Sequence, residues 1–561
     1  MLQTRVARTR RLALIGLAGA LAVSMTACAS ERGSGGEGGA GNENTLVFGA
    51  AGAPKNFDPI FNDDGESFRP IRQMYETLIT YKPGTADLQP GLATEWRPSD
   101  EGKTWTFKLR EGVKFHDGTD FNAEAVCFNF DRWFNMPSAA AQSQMIYYGD
   151  VFEGFANNQG DATGQPVYKS CEAPDPTTAV LHLNKAKGAF PDAFGLTSLS
   201  MSSPTALQKY KADDVKQSGD SFSYPAYANE HPTGTGPYKF QSYDKAAGTI
   251  TLVRNEDYWG EKAKLERIIF RIIPDENARK QELTSGQIDG YDLPNPADYQ
   301  ALRDAGAQVM IRPVFNILYL GINQANNPAL KDVRVRKAIE HAINKEQLAK
   351  NELPEGASAR DQFVPQETDG YTDQVEKHNF DPNQAKQLLR QAGVQNLTLK
   401  FYVPTEVSRP YMPNPVEIAG AIADDLKAVG INVEMVQRPW NGGFKDDVQK
   451  AGKHDLHLLG WTGDYGDAGN FIGTFFGREK AEFGFNNPEI FNALSTADAQ
   501  VDEAAQKRAY EQAAVAISKY VPAVPLTSSP PAIVVGGNIQ GLVPSPLTDE
   551  RFATVTKGQQ S

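Results

Sequence analysis

The sequence predicts a mixed α/β protein with at least two domains. Apolar runs of strand type, such as Thr45 to Gly49 and Leu397 to Val403, alternate with amphipathic stretches of helix type, such as Pro382 to Ala392. The chain has 561 residues, whereas a single hydrophobic core seldom serves more than about 300 residues. Its 50 glycines and 35 prolines predict many turns between these elements.

The first 27 residues have the pattern of a secretion signal. Four arginines between residues 5 and 11 precede an apolar stretch, 12–23, which is shorter than the roughly 20 residues needed to span a bilayer. The stretch Met25 to Cys28 resembles a bacterial lipobox, which implies cleavage before Cys28 and attachment of diacylglycerol to its thiol. An ordinary signal peptide with an incidental Cys28 is the alternative.

Residues 28–44 are mostly Gly, Ser, Glu and Asn, a composition that predicts a flexible tether. Removing residues 1–27 takes away four arginines and no acid, so the formal net charge changes from −13 to −17. Such a balance argues against nucleic acid or anionic lipid as a partner. We therefore expect an exported, soluble body that contacts the membrane through its lipid anchor only.

Two cysteines remain besides Cys28. Cys127 lies on a predicted helix, Ala123 to Phe134, and Cys171 precedes a predicted strand, Thr178 to Leu183. An even pair in an oxidising compartment predicts a disulfide, with two buried free thiols as the alternative.

The stretch from Gly460 to Phe471, GWTGDYGDAGNF, carries the first candidate binding groups. It follows the apolar run Leu456 to Leu459, which predicts a short buried strand ending in a loop. Asp464 and the indole of Trp461 would offer a cationic ligand both a counter-charge and a π face. A Gly/Asp turn whose acids bond only to backbone amides is the alternative.

A second candidate group lies in the proline-rich stretch Ser408 to Pro415, after the predicted strand Leu397 to Val403. A stiff loop that presents Arg409 suits fork-like capture of a carboxylate, although a surface arginine on a connecting loop is the alternative. Together, Arg409 and Asp464 fit a zwitterion, and an extended dipeptide separates its charged ends by roughly 7 Å.

Sequence motifs of enzymes are absent. There is neither HExxH nor GxSxG, and Gly102-Lys103-Thr104 lacks the earlier glycine of a phosphate loop. His454 and His457 have no cysteine or third ligand nearby and are interpreted as a solvated strand edge. We therefore expect no catalytic residue, no metal and no cofactor.

Several further motifs resemble family 5 solute-binding proteins, the peptide and nickel receptors of ATP-driven importers. The stretch Thr104 to Leu109 alternates as a strand, with Trp105, Phe107 and Leu109 on one face. The matching stretches extend over nearly the whole chain after the tether: 92–96 (LATEW), 104–109 (TWTFKL), 232–238 (PTGTGPY), 254–260 (RNEDYWG), 285–289 (SGQID) and 332–339 (DVRVRKAI).

The resemblance implies roles for individual residues. Within the family, the dipeptide receptors are most similar, which implies that Arg409 holds the peptide carboxylate and Asp464 the amino terminus. Tyr411 and Trp461 would line the pocket, and the loop formed by Phe61, Asn62, Asp63 and Asp64 would cover it. Ala468 stands where the dipeptide receptors carry proline. Longer peptides, haem or a nickel chelate are alternative guests, and an exported peptide hydrolase is the alternative from another class.

The resemblance also implies the two-lobe periplasmic-binding-protein type II fold in its three-part family 5 variant, with a hinge and a ligand cleft between the lobes. Residues 45–313 and 530–561 would form lobe I, including an extra subdomain at about 88–230, and residues 314–529 would form lobe II. The expected partners are a short peptide and the permease and ATPase of an importer, with the receptor acting as a monomer.

Overall fold

The computed structural model describes residues 43–558, apart from 161–163, 189 and 220. The predicted signal peptide, Cys28 and nearly all of the predicted tether lie outside these residues. Within them, helices and strands alternate as the sequence predicts, and the mixed α/β class is confirmed.

A seven-stranded mixed sheet forms the first large layer. Its strands, in spatial order, are Tyr238–Asp244, Thr249–Arg254, Arg267–Ile272, Thr45–Ala50, Gly290–Asp292, Ala532–Val535 and Gln308–Ile311. Both faces are covered: Leu46 and Phe48 enter one hydrophobic cluster, and Val47 between them enters another. This period of two is what a strand buried on both sides requires.

A six-stranded sheet forms the second large layer. Its strands, in spatial order, are Ser358–Ala359, Ala523–Ser528, Asn316–Ile322, Leu456–Thr462, Leu397–Thr405 and Ile431–Pro439. Leu318 and Leu320 point into one cluster, whereas Ile317 and Tyr319 point into the cluster on the opposite face. Among the described residues, no strand belongs to both large sheets.

A four-stranded antiparallel sheet forms a third layer, in the order Ala93–Ser99, Thr104–Leu109, Thr178–Leu183 and Tyr168–Asp175. The helix Ala123–Phe134 packs on it, and a disulfide joins Cys127 of this helix to Cys171, with their Cα atoms 5.2 Å apart. The remaining strands of the described residues form three two-stranded ribbons: Ile79–Tyr81 with Leu88–Pro90, Lys216–Ser218 with Ser221–Ser223, and Ile539–Gln540 with Thr556–Lys557.

The α-helices cover the faces and ends of these sheets. Their bounds are Gly65–Met74, Ala123–Phe134, Ala139–Gln142, Ile146–Phe152, Phe190–Ala193, Pro204–Lys209, Ala226–Glu230, Glu276–Thr284, Tyr299–Asp304, Val333–Ala342, Lys345–Glu352, Pro382–Gln391, Pro415–Ala428, Ile472–Phe476, Pro488–Asp498 and Glu503–Tyr520. Among the described residues, no helix combines the length and apolarity that crossing a bilayer demands.

The chain passes twice between the two large sheets, and the two crossings lie side by side. The Arg312 amide donates to the Pro531 carbonyl at 2.8 Å. The Asn316 side chain donates to the Ser529 carbonyl at 2.7 Å and accepts from the Ser529 amide at 3.1 Å. These hydrogen bonds join residues 312–316 to residues 529–531 at the place where the chain leaves one large sheet and enters the other.

Candidate functional site

The segment Gly460–Phe471 begins inside the six-stranded sheet. The strand Leu456–Thr462 runs three residues beyond its predicted end at Leu459, because Gly460, Trp461 and Thr462 pair with the neighbouring strand Asn316–Ile322. Trp461 therefore stands on the end of a strand, and the loop starts at Gly463.

Glycine is needed in this segment for close packing. A Cβ at Gly463 would lie 2.1 Å from a ring carbon of Phe315, a separation that real Cβ atoms do not show. Gly463, Gly466 and Gly469 are not among the residues with positive φ, so a missing side chain matters more here than left-handed backbone. The first turn of the loop is thus pressed against the Phe315 ring.

Asp464 follows this packed turn and lies beside Tyr81 of the ribbon strand Ile79–Tyr81 and Tyr147 of the helix Ile146–Phe152. Its carbonyl accepts a hydrogen bond from the Tyr81 hydroxyl at 3.3 Å, while its carboxylate oxygen Oδ2 is buried without a hydrogen-bond partner among the described residues. Burial raises the pKa of Asp464 to about 7, and Tyr147 and Arg72 act in the opposite direction. A buried carboxylate with one oxygen left without a partner is suited to a cationic ligand.

Asn470 holds the Trp461 indole and the backbone of Asp464 in position. Its buried side-chain oxygen accepts from the Asp464 amide at 2.8 Å and from the Trp461 indole nitrogen at 3.1 Å. One amide oxygen thereby holds the indole and the backbone of Asp464 in a fixed relation, which a flexible Gly-rich loop alone would not provide.

Arg409 stands on a tight loop after the strand Leu397–Thr405. Its amide and carbonyl are hydrogen-bonded to the carbonyl and amide of Met412 at 3.1 and 2.9 Å. Its guanidinium lies 4.8 Å from the centre of the Trp440 ring and forms no ion pair or hydrogen bond with the described residues. The indole orients the guanidinium by a cation–π contact and leaves its donors free for a ligand.

The Arg409 loop and the Gly460–Phe471 segment are packed against each other. Tyr411 is buried, and a Cβ at Gly460 would lie only 2.3 Å from Tyr411 Cδ2. The Ser529 hydroxyl donates to the Pro410 carbonyl at 2.6 Å, which ties the same loop to the chain crossing. The two oppositely charged candidates therefore belong to one packed unit of the six-stranded-sheet region.

The loop predicted to cover the pocket has several structural functions. Phe61 is fully buried in a hydrophobic cluster, and the Asn62 side chain donates to Asn56 and to the Asp58 carbonyl. Asp64 caps the helix Gly65–Met74 by accepting from the Glu66 and Ser67 amides, each at 3.0 Å. Asp63 alone is exposed.

Three further aromatic residues contact Arg409 or Asp464 but belong to no recognisable sequence motif. Trp440 opens the π-helical turn Trp440–Phe444, and Tyr147 lies on the helix Ile146–Phe152. Tyr81 lies on a three-residue strand. A single aromatic residue on an unrelated element gives no motif. Only the fold reveals that Tyr147 lies beside Asp464 and lowers the pKa of its carboxyl by a hydrogen bond.

The interpretation of His454 and His457 as a solvated strand edge is wrong. Both side chains are fully buried. His457 lies on the strand Leu456–Thr462, which has a neighbouring strand on each side, and His454 precedes that strand and contacts the Glu482 carbonyl at 2.9 Å. His457 Nε2 contacts Glu482 Oε1 at 3.0 Å, and burial lowers the pKa of His454 to about 3. Across the part of the chain that the structure describes, no group of three or more His, Cys, Asp or Glu side chains is arranged to bind a metal ion.

Comparison with known proteins supplies the family. The model for bacterial extracellular solute-binding proteins, family 5 Middle, matches residues 87–483. A dipeptide-binding protein from Escherichia coli is 31% identical over 91% of this chain and 94% of its own length. Heme-binding protein A from Haemophilus influenzae is 29% identical over 92% of both chains.

Structural comparison agrees with the sequence match. The crystal structure of a dipeptide-binding protein from Pseudoalteromonas, in complex with Met-Leu, superposes with a TM-score of 0.76 at 26% identity and covers 92% of this chain and 100% of its own. The predicted two-lobe periplasmic-binding-protein fold is thereby confirmed. The chain belongs to the bacterial extracellular solute-binding proteins of family 5.

Proposed function

We propose that this protein is the receptor of an ATP-driven importer and captures short peptides, dipeptides above all. Arg409 would hold the peptide carboxylate and Asp464 its amino group, with Tyr411 and Trp461 lining the pocket. The observation that carries this proposal is a pair of opposite charges on one packed unit. Among the described residues, the guanidinium has no ion pair and one buried carboxylate oxygen has no donor.

Both Arg409 and Asp464 would form new charge-assisted hydrogen bonds when a peptide binds. Each charge-assisted hydrogen bond contributes roughly 1.5 to 3 kcal/mol, so two of them together with burial of the peptide support affinity in the micromolar range. An ammonium group at Asp464 would offset the burial that now favours its protonated form. The relatives named for dipeptide binding support this guest.

Closure of two lobes would bury the peptide. We assign residues 45–313 and 530–561 to lobe I, with an extra subdomain at about 88–230, and residues 314–529 to lobe II. In support, the strands of the seven-stranded sheet come from the first set and those of the six-stranded sheet from the second. The paired crossings at Arg312 to Asn316 and Ser529 to Pro531 would serve as the hinge, and the closed form would dock on the permease.

The proposed location follows from the amino terminus. Cleavage before Cys28 and lipidation of its thiol would anchor a monomer to the outer face of the cytoplasmic membrane, with residues 28–44 as the tether. Mass spectrometry of the mature protein tests this step, since a lipidated Cys28 adds the mass of its acyl chains and a Cys28→Ala variant does not.

A binding protein should not turn its ligand over. We therefore propose that the chain has no catalytic activity, in line with a family of binding proteins. Incubation with a dipeptide mixture should give stoichiometric binding with every peptide recovered intact, whereas hydrolysis that exceeds one equivalent would favour the peptide-hydrolase alternative.

Haem is the second candidate ligand, because one relative of comparable identity is a heme-binding protein. Native mass spectrometry of the protein purified without denaturation separates the two proposals. A co-purified mass of a short peptide supports the first, and a haem mass with a Soret absorption band supports the second.

A further inference from the structure

Two cations lie against Trp440, beside the proposed carboxylate end of the site, and a third is an electrostatic neighbour of one of them. The Lys445 ammonium lies 5.6 Å from the centre of the Trp440 ring, and the Arg409 guanidinium lies 4.8 Å from the same centre. Both side chains belong to the region of the six-stranded sheet. One indole therefore gathers two positive charges.

A third cation comes from the other region of the molecule. Lys55 is half-buried, and its ammonium lies 6.0 Å from the Tyr224 ring centre. Burial lowers the pKa of Lys55, Asp63 and Asp64 raise it, and Lys445 lowers it further. Lys55 and Lys445, which come from the two proposed lobes, are therefore electrostatic neighbours.

The nearby acids neutralise this group only in part. Asp64 is engaged in capping a helix, where its carboxylate accepts from the Glu66 and Ser67 amides and from the Ser67 hydroxyl at 2.7 Å. Asp63 is exposed and forms no ion pair with the described residues. By contrast, Arg69 and Arg132 of the same region are each paired with buried carboxylates.

We propose that Lys55, Lys445 and Arg409 form a subsite for a second negative charge, so that the receptor prefers dipeptides whose carboxyl-terminal residue is aspartate or glutamate. Arg409 would take the main-chain carboxylate, and the two lysines, one from each lobe, would take the acidic side chain. This inference rests on the proposed function. An acidic side chain between the two lysines would offset their mutual repulsion and so favour the closed form.

The test compares Ala-Glu with Ala-Gln, which differ in charge and hardly in shape, by isothermal titration calorimetry. We expect Ala-Glu to bind about three- to tenfold more tightly, since an ion pair in a partly exposed site contributes modestly. In a Lys55→Met/Lys445→Met variant the ratio should fall to about one while Ala-Gln binding stays nearly unchanged. Raising the salt concentration from about 0.02 M to about 0.5 M should shrink the ratio in the parent protein.

Lys450→Met is the matched control. Lys450 is exposed, lies on the neighbouring helical turn and pairs with Asp446 at 2.9 Å, so its loss should leave the ratio unchanged. Equal affinity for the two peptides in the parent, or a preference that survives in the double variant, would overturn the subsite while leaving the proposed function standing. Failure of both peptides to bind the parent would overturn the proposed function and this inference with it.

Discussion

The ring of Tyr411 rests on the backbone of Gly460, with only 2.3 Å between Tyr411 Cδ2 and the place where a Cβ of residue 460 would stand. This contact joins the loop that carries Arg409 to the strand that leads to Trp461 and Asp464. The spacing of the two charged groups thus depends on a residue that carries no charge.

Gly460→Ala should therefore weaken peptide binding without touching the peptide. The new methyl group would also meet the Ile317 carbonyl at 2.5 Å, so the strand as well as the Tyr411 ring must shift. Overpacking of this kind costs about 1 to 3 kcal/mol in the free energy of unfolding. Gly420→Ala is the control, because that glycine lies on the helix Pro415–Ala428 with open space around its Cβ position. Thermal unfolding and peptide titration of both variants measure the effect, and identical behaviour would refute the coupling.

The affinity for peptide should rise with pH between about 5.5 and 7.5. A peptide ammonium requires the ionised form of Asp464, whose pKa is raised to about 7, so affinity should increase up to about tenfold per pH unit below 7 and level off above it. Asp464→Asn should bind weakly and lack this dependence.

Stability of the unliganded protein should respond to pH in the opposite sense. The ordinary pKa of this carboxyl is 3.8, so the folded state retains a proton that the unfolded state loses, and stability falls as pH rises from about 4 to 7. Because Asp192 also has a pKa raised to about 7, the quantity to compare is the difference between the parent and Asp464→Asn. A difference that is flat over this range would contradict the assignment.

Lys187 should slow the release of peptide. It pairs with Asp498 at 3.3 Å, and the neighbouring Gly188 amide donates to the Asp498 carbonyl at 2.6 Å, so these bonds join the two proposed lobes far along the chain from the hinge. Lys187→Met should accelerate dissociation about three- to tenfold in stopped-flow measurements. Lys264→Met, which removes an exposed pair with Glu261 inside one region, should leave the rate unchanged. Equal rates for both variants would show that this pair does not hold the closed form.

Arg312 should be essential for stability at the crossing. Its fully buried guanidinium contacts Glu550 at 2.7 Å and Asp292 at 2.6 Å, and it holds the pKa of Asp292 below its ordinary value. Arg312→Met would leave two buried carboxylates without this partner, at a cost of about 3 to 5 kcal/mol. Denaturant unfolding measures the loss. Arg334→Met, which breaks an exposed pair with Asp332, should cost less than about 1 kcal/mol.

Local patterns predicted the elements well where periodicity and burial agree. The helix Ala123–Phe134 and the strand Thr178–Leu183 have the predicted bounds, because their apolar faces are continuous and their ends are marked by turn residues. The strand that begins at Leu456 was predicted too short, since Gly460 and Trp461 break the apolar run and are held in the sheet only by a distant strand.

The two charged candidates, Arg409 and Asp464, could also be proposed from the sequence, because each lies within a distinctive loop. The residues that surround them could not be predicted. Trp440 contacts Arg409 and Tyr147 contacts Asp464 from other elements of the fold. Lys55 becomes a candidate only because Lys445, on another element, is its electrostatic neighbour. Tertiary neighbours of this kind leave no periodicity in the sequence to detect.

The most direct measurement of the central claim is a calorimetric cycle with Ala-Ala, its amidated form and its N-acetylated form. Arg409→Ala and Asp464→Ala should each weaken Ala-Ala binding by at least about tenfold while the proteins stay folded. Amidation, which removes the peptide carboxylate, should cost little further affinity in Arg409→Ala, and acetylation, which removes the ammonium, should cost little in Asp464→Ala. Full affinity for Ala-Ala in both variants would contradict the account.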